Sequence, residues 1–123
     1  MAESEKLVIM ATHGPEDPER ATIPFVMACA ALASDVDVVM GFQAGGVTLV
    51  RKGEAEHVLA PDFPPLTKLM ADFVELGGRM LVCSPCIKSR QVIAPDDLVA
   101  GAEVVAAARF VAEVTSATST LVY

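Results

Sequence analysis

The chain has 123 residues and a formal net charge of −7, with 53% hydrophobic and only 5% aromatic side chains. That length allows one ordinary domain and not two, so residues 1–123 are expected to form a single unit. The nine basic residues are scattered, with only Arg51 and Lys52 adjacent, which leaves no match for a nucleic-acid backbone or an anionic membrane. Mean hydropathy is +0.49, more apolar surface than a small interior hides, so part of it is expected in an interface between copies of the chain.

No run reaches the roughly eighteen apolar residues of a transmembrane helix. The opening Met1-Ala2-Glu3-Ser4-Glu5-Lys6 is acidic, unlike the basic start and apolar stretch of a secretory signal. A cytoplasmic location is therefore expected. Three cysteines are an odd number for a disulfide framework, and thiols close in sequence in a reducing compartment point to redox, metal or sulfur chemistry.

Lys6–Ala11 is a continuous apolar run, as in a strand buried on both faces. Thr12-His13-Gly14-Pro15-Glu16-Asp17-Pro18 reads as a loop. A helix follows, either from Asp17-Pro18 with Asp as N-cap and a kink at Pro24, or from Thr22 with Pro24 in its first turn. Both readings make Phe25–Ala33 helical. Val36–Phe42 is the second strand, Gln43-Ala44-Gly45-Gly46 a turn, and Val47–Val50 a short extra strand. Glu54–Pro65 is a proline-bearing connection.

Leu66, Leu69, Met70, Phe73, Val74 and Leu76 have helical spacing, and Gly77-Gly78 is a C-terminal stop. Arg79–Cys83 is the third main strand. Ser84-Pro85 then reads as a helix start, with Ser84 as N-cap and the helix running to about Arg90. Ala94–Asp97 is a turn or the start of a short helix, Ala102–Val105 a fourth strand or, over Glu103–Ala106, part of a longer helix, Ala107–Ser116 a helix and Thr118–Tyr123 a last β-branched strand. Strands alternating with helices predict a mostly parallel sheet covered on both faces.

In such folds, reactive groups sit at the carboxyl ends of strands. Cys83-Ser84-Pro85-Cys86 falls there. Cys83 closes a strand, and Cys86 lies in the first turn of a helix, whose partial positive charge favours thiolate over thiol. Lys88 and Arg90 stand close in sequence. A thiolate attacks sulfur, so the placement suits redox or sulfur transfer. A single CxxC supplies only part of the roughly four-ligand set of a structural zinc, and a zinc shared between subunits would need His13 or His57 as well. A thioredoxin-type dithiol would stand nearer the start of the chain, ahead of a longer helix. Thr12-His13 closes the first strand, where His13 is placed to pair with a thiolate or an anion, or simply with backbone. No dinucleotide fingerprint or phosphate loop is present, so no nucleotide cofactor is expected. Cys29 sits in an Ala-rich helix and reads as a small core residue.

Three features together resemble the DsrE/DsrF-like family, which includes sulfur-relay proteins of the DsrE/TusD type. One is Thr12-His13-Gly14-Pro15 leading through Pro18-Glu19-Arg20-Ala21 into a helix. Another is Phe25-Val26-Met27-Ala28 to Ala33, followed by the valine-rich strand with Gly41-Phe42. The last is Cys83 at a strand end with Arg90 seven positions on. The resemblance implies a three-layer α/β/α domain, with a mostly parallel sheet of about five strands, that assembles as a homotrimer or homohexamer. It also implies a sulfane sulfur held as a persulfide on Cys83 and relayed to other sulfur-handling proteins, with no organic cofactor or metal. The supporting residues would be His13, Thr12, Ser84 and Arg90. The family's Arg-Gly falls on Arg90-Gln91, so the glycine is replaced here. Cys86 lies outside the relay pattern, as a helper that releases the sulfur by forming a disulfide or shares it. The alternatives are a non-catalytic oligomeric binding or regulatory protein and a CxxC dithiol oxidoreductase. Exposure of Cys83 separates the first alternative from the carrier.

Overall fold

The computed structural model describes residues 4–123. Five strands, β1 (Lys6–Ala11), β2 (Asp37–Phe42), β3 (Arg79–Cys83), β4 (Ala102–Val105) and β5 (Ser119–Val122), form one sheet in the order β4-β3-β2-β1-β5. Every pairing is parallel. Four α-helices connect them: α1 (Pro18–Ala33), α2 (Leu66–Glu75), α3 (Ser84–Ser89) and α4 (Ala107–Thr115). The first three crossings step the chain from β1 outward to β4, and the fourth returns it to the far side of β1. Right-handed crossings in opposite directions put α1, α2 and α3 on one face and α4 on the other. The result is the α/β/α sandwich expected from the sequence.

The face under α1 and α2 carries the larger core. Phe25 of α1 packs edge-on to Phe73 of α2 with ring centroids 5.7 Å apart and planes at 87°. It also lies 5.9 Å from Phe42 of β2. These rings tie two helices to the central strand, and all three are fully buried. Helix α1 starts at Pro18, not at Thr22. Asp17 caps it by accepting the Arg20 N–H at 3.1 Å. The helix then runs through Pro24. A proline there forfeits one backbone hydrogen bond and costs about 3 kcal/mol or more in a free helix. Burial of Ala21, Pro24, Phe25 and Ala28 against the sheet offsets it.

The expected strand at Val47–Val50 does not form. Ala44–Val50 is a 3-10 helix. The reason lies in the burial pattern, since Gly46, Val47, Leu49 and Val50 are all buried. A strand would turn alternate residues outward, whereas a turn of about three residues sends all four inward. Gly46 makes this fit, because a Cβ there would run into the Ala11 carbonyl. Part of the Glu54–Pro65 connection is also helical, a single 3-10 turn at Ala55–His57, and Val58 and Ala60 pin it to the core.

The opposite face is covered by α4 alone. Val8, Met10, Val39, Leu81 and Val105 pack there beneath Phe110. Glu113 of α4 is buried and carries the charge that fixes the helix in place. Its carboxylate meets Lys6 Nζ at 2.6 Å, Arg109 Nε at 2.9 Å and Arg79 Nη1 at 3.9 Å. The Lys6 hydrogen bond above all, with help from Arg109, holds Glu113 below the ordinary glutamate pKa against the effect of its own burial. Among the described residues no helix is long and apolar enough to cross a membrane.

The Glu113 cluster predicts an acid-sensitive fold. A carboxyl whose pKa is lowered on folding contributes stability that is complete above the unfolded pKa and fades as pH falls through the folded one. Glu113→Gln should cost about 1–3 kcal/mol at neutral pH, since hydrogen bonds to a charge are lost. The loss relative to the parent should shrink as pH falls below the ordinary glutamate value and on through the lowered folded one. Urea denaturation midpoints across pH measure both effects, and a constant difference at every pH would contradict the assignment.

Candidate functional site

Parallel pairing brings the carboxyl ends of β1, β2 and β3 to one edge of the sheet. Ala11 pairs with Phe42, and Phe42 with Val82. The loops that follow each strand therefore share one end of the molecule: Thr12-His13-Gly14 after β1, Gln43-Ala44 after β2, and Ser84-Pro85-Cys86 after β3.

The helix after β3 begins one residue earlier than expected. Cys83 takes the capping position with extended backbone, and Ser84, the expected N-cap, is the first helical residue with no capping bond from Cys83's side chain above it. The reason is that β3 keeps pairing through Cys83, opposite Val105 of β4. Pro85 in the first turn needs no N–H partner there. The helix ends in a Schellman turn around Arg90. Val92 N–H reaches the Ile87 carbonyl at 3.0 Å and Gln91 N–H the Lys88 carbonyl at 3.1 Å, while Val92 and Ile87 are both buried. Gln91 sits at φ +57, the left-handed conformation that glycine adopts without penalty. The replaced glycine of the Arg-Gly pattern therefore falls on a position whose backbone still has a glycine's shape.

Cys83 and Cys86 meet. Their sulfurs are 2.6 Å apart, and both are free thiols rather than a disulfide. Each is half-buried, so neither is enclosed by apolar side chains. The backbone N–H of Ala44, from the loop after β2, donates to Cys86 Sγ at 3.3 Å. Ala44 holds φ +50 to do so, an uncommon conformation for a residue with a Cβ. Arg90 folds back over the helix, with Nη1 3.2 Å from the Cys86 carbonyl and 3.3 Å from Ser89 Oγ. Ser89 Oγ itself donates to that carbonyl at 3.1 Å.

The helix start does not make Cys83 a ready thiolate. Burial raises its thiol pKa and the Cys86 side chain raises it further, while the Cys86 backbone N–H and, to a smaller extent, the Arg90 charge only partly oppose them. The expected lowering by the helix terminus is thus outweighed. A six-residue helix presents a weak dipole, and the neighbouring sulfur competes for the same proton.

The remaining predicted residues stand apart from the thiols. Thr12 donates its hydroxyl to the Tyr123 carbonyl, and His13 Nδ1 lies 3.3 Å from Thr12 Oγ1. Strand β2 separates this pair from β3. The histidine is therefore engaged with its own loop and not with a sulfur. His57 is exposed on the 3-10 turn. Among the described residues no three His, Cys, Asp or Glu side chains gather as metal ligands. Cys29 lies at the edge of the core, with Sγ 3.5 Å from the Leu69 carbonyl.

Residues 5–123 match the DsrE/DsrF-like family. The chain belongs to that family. Two uncharacterized proteins of Methanocaldococcus jannaschii are similar to it in sequence. MJ0989 is 29% identical over 98 residues, 80% of this chain and 82% of that protein. MJ0760 is 33% identical over 79 residues, 64% of this chain, but the match spans only 29% of MJ0760. Two solved structures share the fold. The ychN protein from E. coli superposes with a TM-score of 0.80 at 19% identity, over 97% of this chain and 99% of that one. MTH1491 of Methanobacterium thermoautotrophicum, described as a protein of unknown function, gives 0.77 at 16% identity, over 98% and 100%.

Sequence reasoning missed Ala44 and Ser89 as neighbours of the thiol pair. Ala44 acts through its backbone and leaves no chemical signature. Ser89 stood inside the CxxC helix and could have been found by the i, i+3 reach of its hydroxyl to the Cys86 carbonyl.

The raised Cys83 thiol gives a pH prediction. Thiolate forms as pH rises, so alkylation of Cys83 by iodoacetamide should keep accelerating above the ordinary cysteine value of about 8.5. Peptide-level mass spectrometry of a Cys86→Ser chain isolates the Cys83 rate. Saturation of that rate below pH 8 would contradict the burial argument.

Proposed function

We propose that this protein is a sulfur carrier, which takes a sulfane sulfur from a donor persulfide and holds it on Cys83 as Cys83–S–SH. The supporting observation is the half-buried Cys83 at the carboxyl end of β3, in contact with a second thiol, on a chain of the DsrE/DsrF-like family. The step balances simply. Cys83 thiolate attacks the outer sulfur of the donor persulfide, the inner S–S bond breaks, and the donor leaves as its thiolate. No external oxidant enters, and the partners on either side are other sulfur-handling proteins.

A site that exchanges sulfur with macromolecular partners needs its reactive atom at a rim, reachable but sheltered from wasteful oxidation. Half-burial supplies that compromise. Arg90, held by Ser89 and the Cys86 carbonyl, supplies positive charge near a persulfide anion. Thr12 and His13 lie on the same edge of the sheet, where they border the approach without touching either sulfur.

Intact mass spectrometry after incubation with glutathione persulfide tests the carrier. A Cys86→Ser chain should gain about 32 Da, one sulfur. Cys83→Ser should gain nothing. Uptake that survives Cys83→Ser would move the persulfide off Cys83, and no uptake by any chain retaining Cys83 would end the carrier reading.

The carrier also assembles with copies of itself, as a trimer or hexamer. On the face that α4 alone covers, Val111, Val114 and Val122 are 60%, 39% and 70% exposed. Beside them a hollow of about 250 Å³ is lined by Met10, Phe110 and the same two α4 valines. An exposed apolar surface on an acidic chain is the mark of a protein interface. Light scattering behind size exclusion should report an oligomer. The double substitution Val111→Asp with Val114→Asp should shift it to monomer, and a monomeric parent would refute the assembly.

A further inference from the structure

The two sulfurs stand too close for Cys86 to be a bystander to a persulfide on Cys83. With Sγ atoms 2.6 Å apart, the inner sulfur of Cys83–S–SH would already lie against Cys86, with no backbone movement required. The Ala44 N–H donates to Cys86 Sγ at 3.3 Å and so holds that side chain in place. The carbonyl of the same residue is tied down by Arg90 and Ser89. Cys86 is thus held both at its sulfur and at its carbonyl.

From this we infer that the sulfane sulfur leaves this site as hydrosulfide, with Cys86 as the resolving thiol, which makes the protein a thiol-dependent persulfide reductase as well as a carrier. The inference rests on the carrier reading, because it begins from Cys83–S–SH. Cys86 thiolate attacks Cys83 Sγ. The bond between Cys83 Sγ and the outer sulfur breaks, a Cys83–Cys86 disulfide forms, and HS⁻ departs with the electron pair. The two cysteine sulfurs are oxidised by two electrons in all, and the sulfane sulfur is reduced from zero to −2. A small-molecule thiol or dithiol resets the pair, two thiols being oxidised to a disulfide as both cysteines regain their protons. The net turnover converts one persulfide and two thiols into one thiol, one hydrogen sulfide and one disulfide. Attack on the outer sulfur instead would move it to Cys86 without any redox change, and the product distinguishes the two routes.

A single turnover without reductant tests it. The fully reduced, desalted chain is mixed with glutathione persulfide and followed by intact mass spectrometry under acid quench, with released sulfide trapped by monobromobimane. Wild type should pass through a species heavier by about 32 Da and end lighter than the start by about 2 Da, with roughly one extra sulfide per chain over the protein-free control. Cys86→Ser should stop at the heavier species and release no extra sulfide. Cys86→Ala, checked for an unchanged far-ultraviolet circular dichroism spectrum, should behave the same. A wild type that remains at the heavier mass would overturn the reductase step while leaving the carrier intact, as would a loss of about 2 Da without sulfide. Failure of Cys86→Ser and Cys86→Ala to take up sulfur, both folded, would instead remove the carrier reading and this inference with it.

Discussion

The constraint on which everything else depends is the burial of a wholly parallel sheet. Parallel strands cannot be joined by tight hairpins, so each must be followed by a crossing that begins at the same end of the sheet. Lys6–Ala11, Asp37–Phe42 and Arg79–Cys83 are apolar enough to be buried on both faces. Their carboxyl ends consequently gather three loops from separate parts of the chain. The contact between Ala44 and Cys86, forty-two residues apart in sequence, is a product of that geometry. No local feature of either segment would have created it.

The uneven cover of the sheet follows from the same topology. Three crossings run one way and place α1, α2 and α3 together, and a single return places α4 opposite. The crowded face closes around Phe25, Phe42 and Phe73. The sparse face relies on one nine-residue helix, Phe110 and a buried carboxylate shared by Lys6, Arg79 and Arg109. An ionic anchor is a weak source of net stability, since desolvation consumes much of the attraction. What it supplies is position, because Lys6 of β1 and, at longer range, Arg79 of β3 reach the Glu113 carboxylate from the sheet, while Arg109 braces it from within α4. Val111, Val114 and Val122 are left exposed on that sparsely covered face.

The sequence carried the strands and the order of elements well, because buried parallel strands and amphipathic helices such as Leu66–Glu75 announce themselves by period. It misled where burial overrode propensity. Val47–Val50 is β-branched and reads as strand, yet a close crossing at Gly46 and inward packing of three apolar side chains turn it into a 3-10 helix. Ser84 has the chemistry of an N-cap, but pairing of Cys83 with Val105 carries the strand one residue further and displaces the cap. At the site, the cysteines and Arg90 were readable as residue types at a spacing. The Ala44 amide was not, since any residue but proline carries one. His13 was readable and stands elsewhere, because sequence shows which residues follow a strand and not how many strands lie between them.

Cys83 shows how such competing effects are decided. A cysteine at the mouth of a helix is ordinarily taken as acidified, and the helix terminus offers only a few tenths to about one kcal/mol at an exposed site. Partial burial and a second thiol in contact work against that and prevail. The two thiols of the CxxC are both half-buried but differently placed. Cys83 closes the strand, and its thiol is pushed up by burial. Cys86 takes the Ala44 N–H at its sulfur, and its carbonyl takes Arg90 and Ser89. A lone sheltered cysteine would store sulfur and wait for a partner to remove it. Placing a second thiol within bonding reach adds an intramolecular exit, whose effective concentration no dissolved thiol can match. On the proposed carrier reading, the same short distance that raises the Cys83 thiol would limit how long a persulfide on it persists and would tie the length of storage to the oxidation state of Cys86.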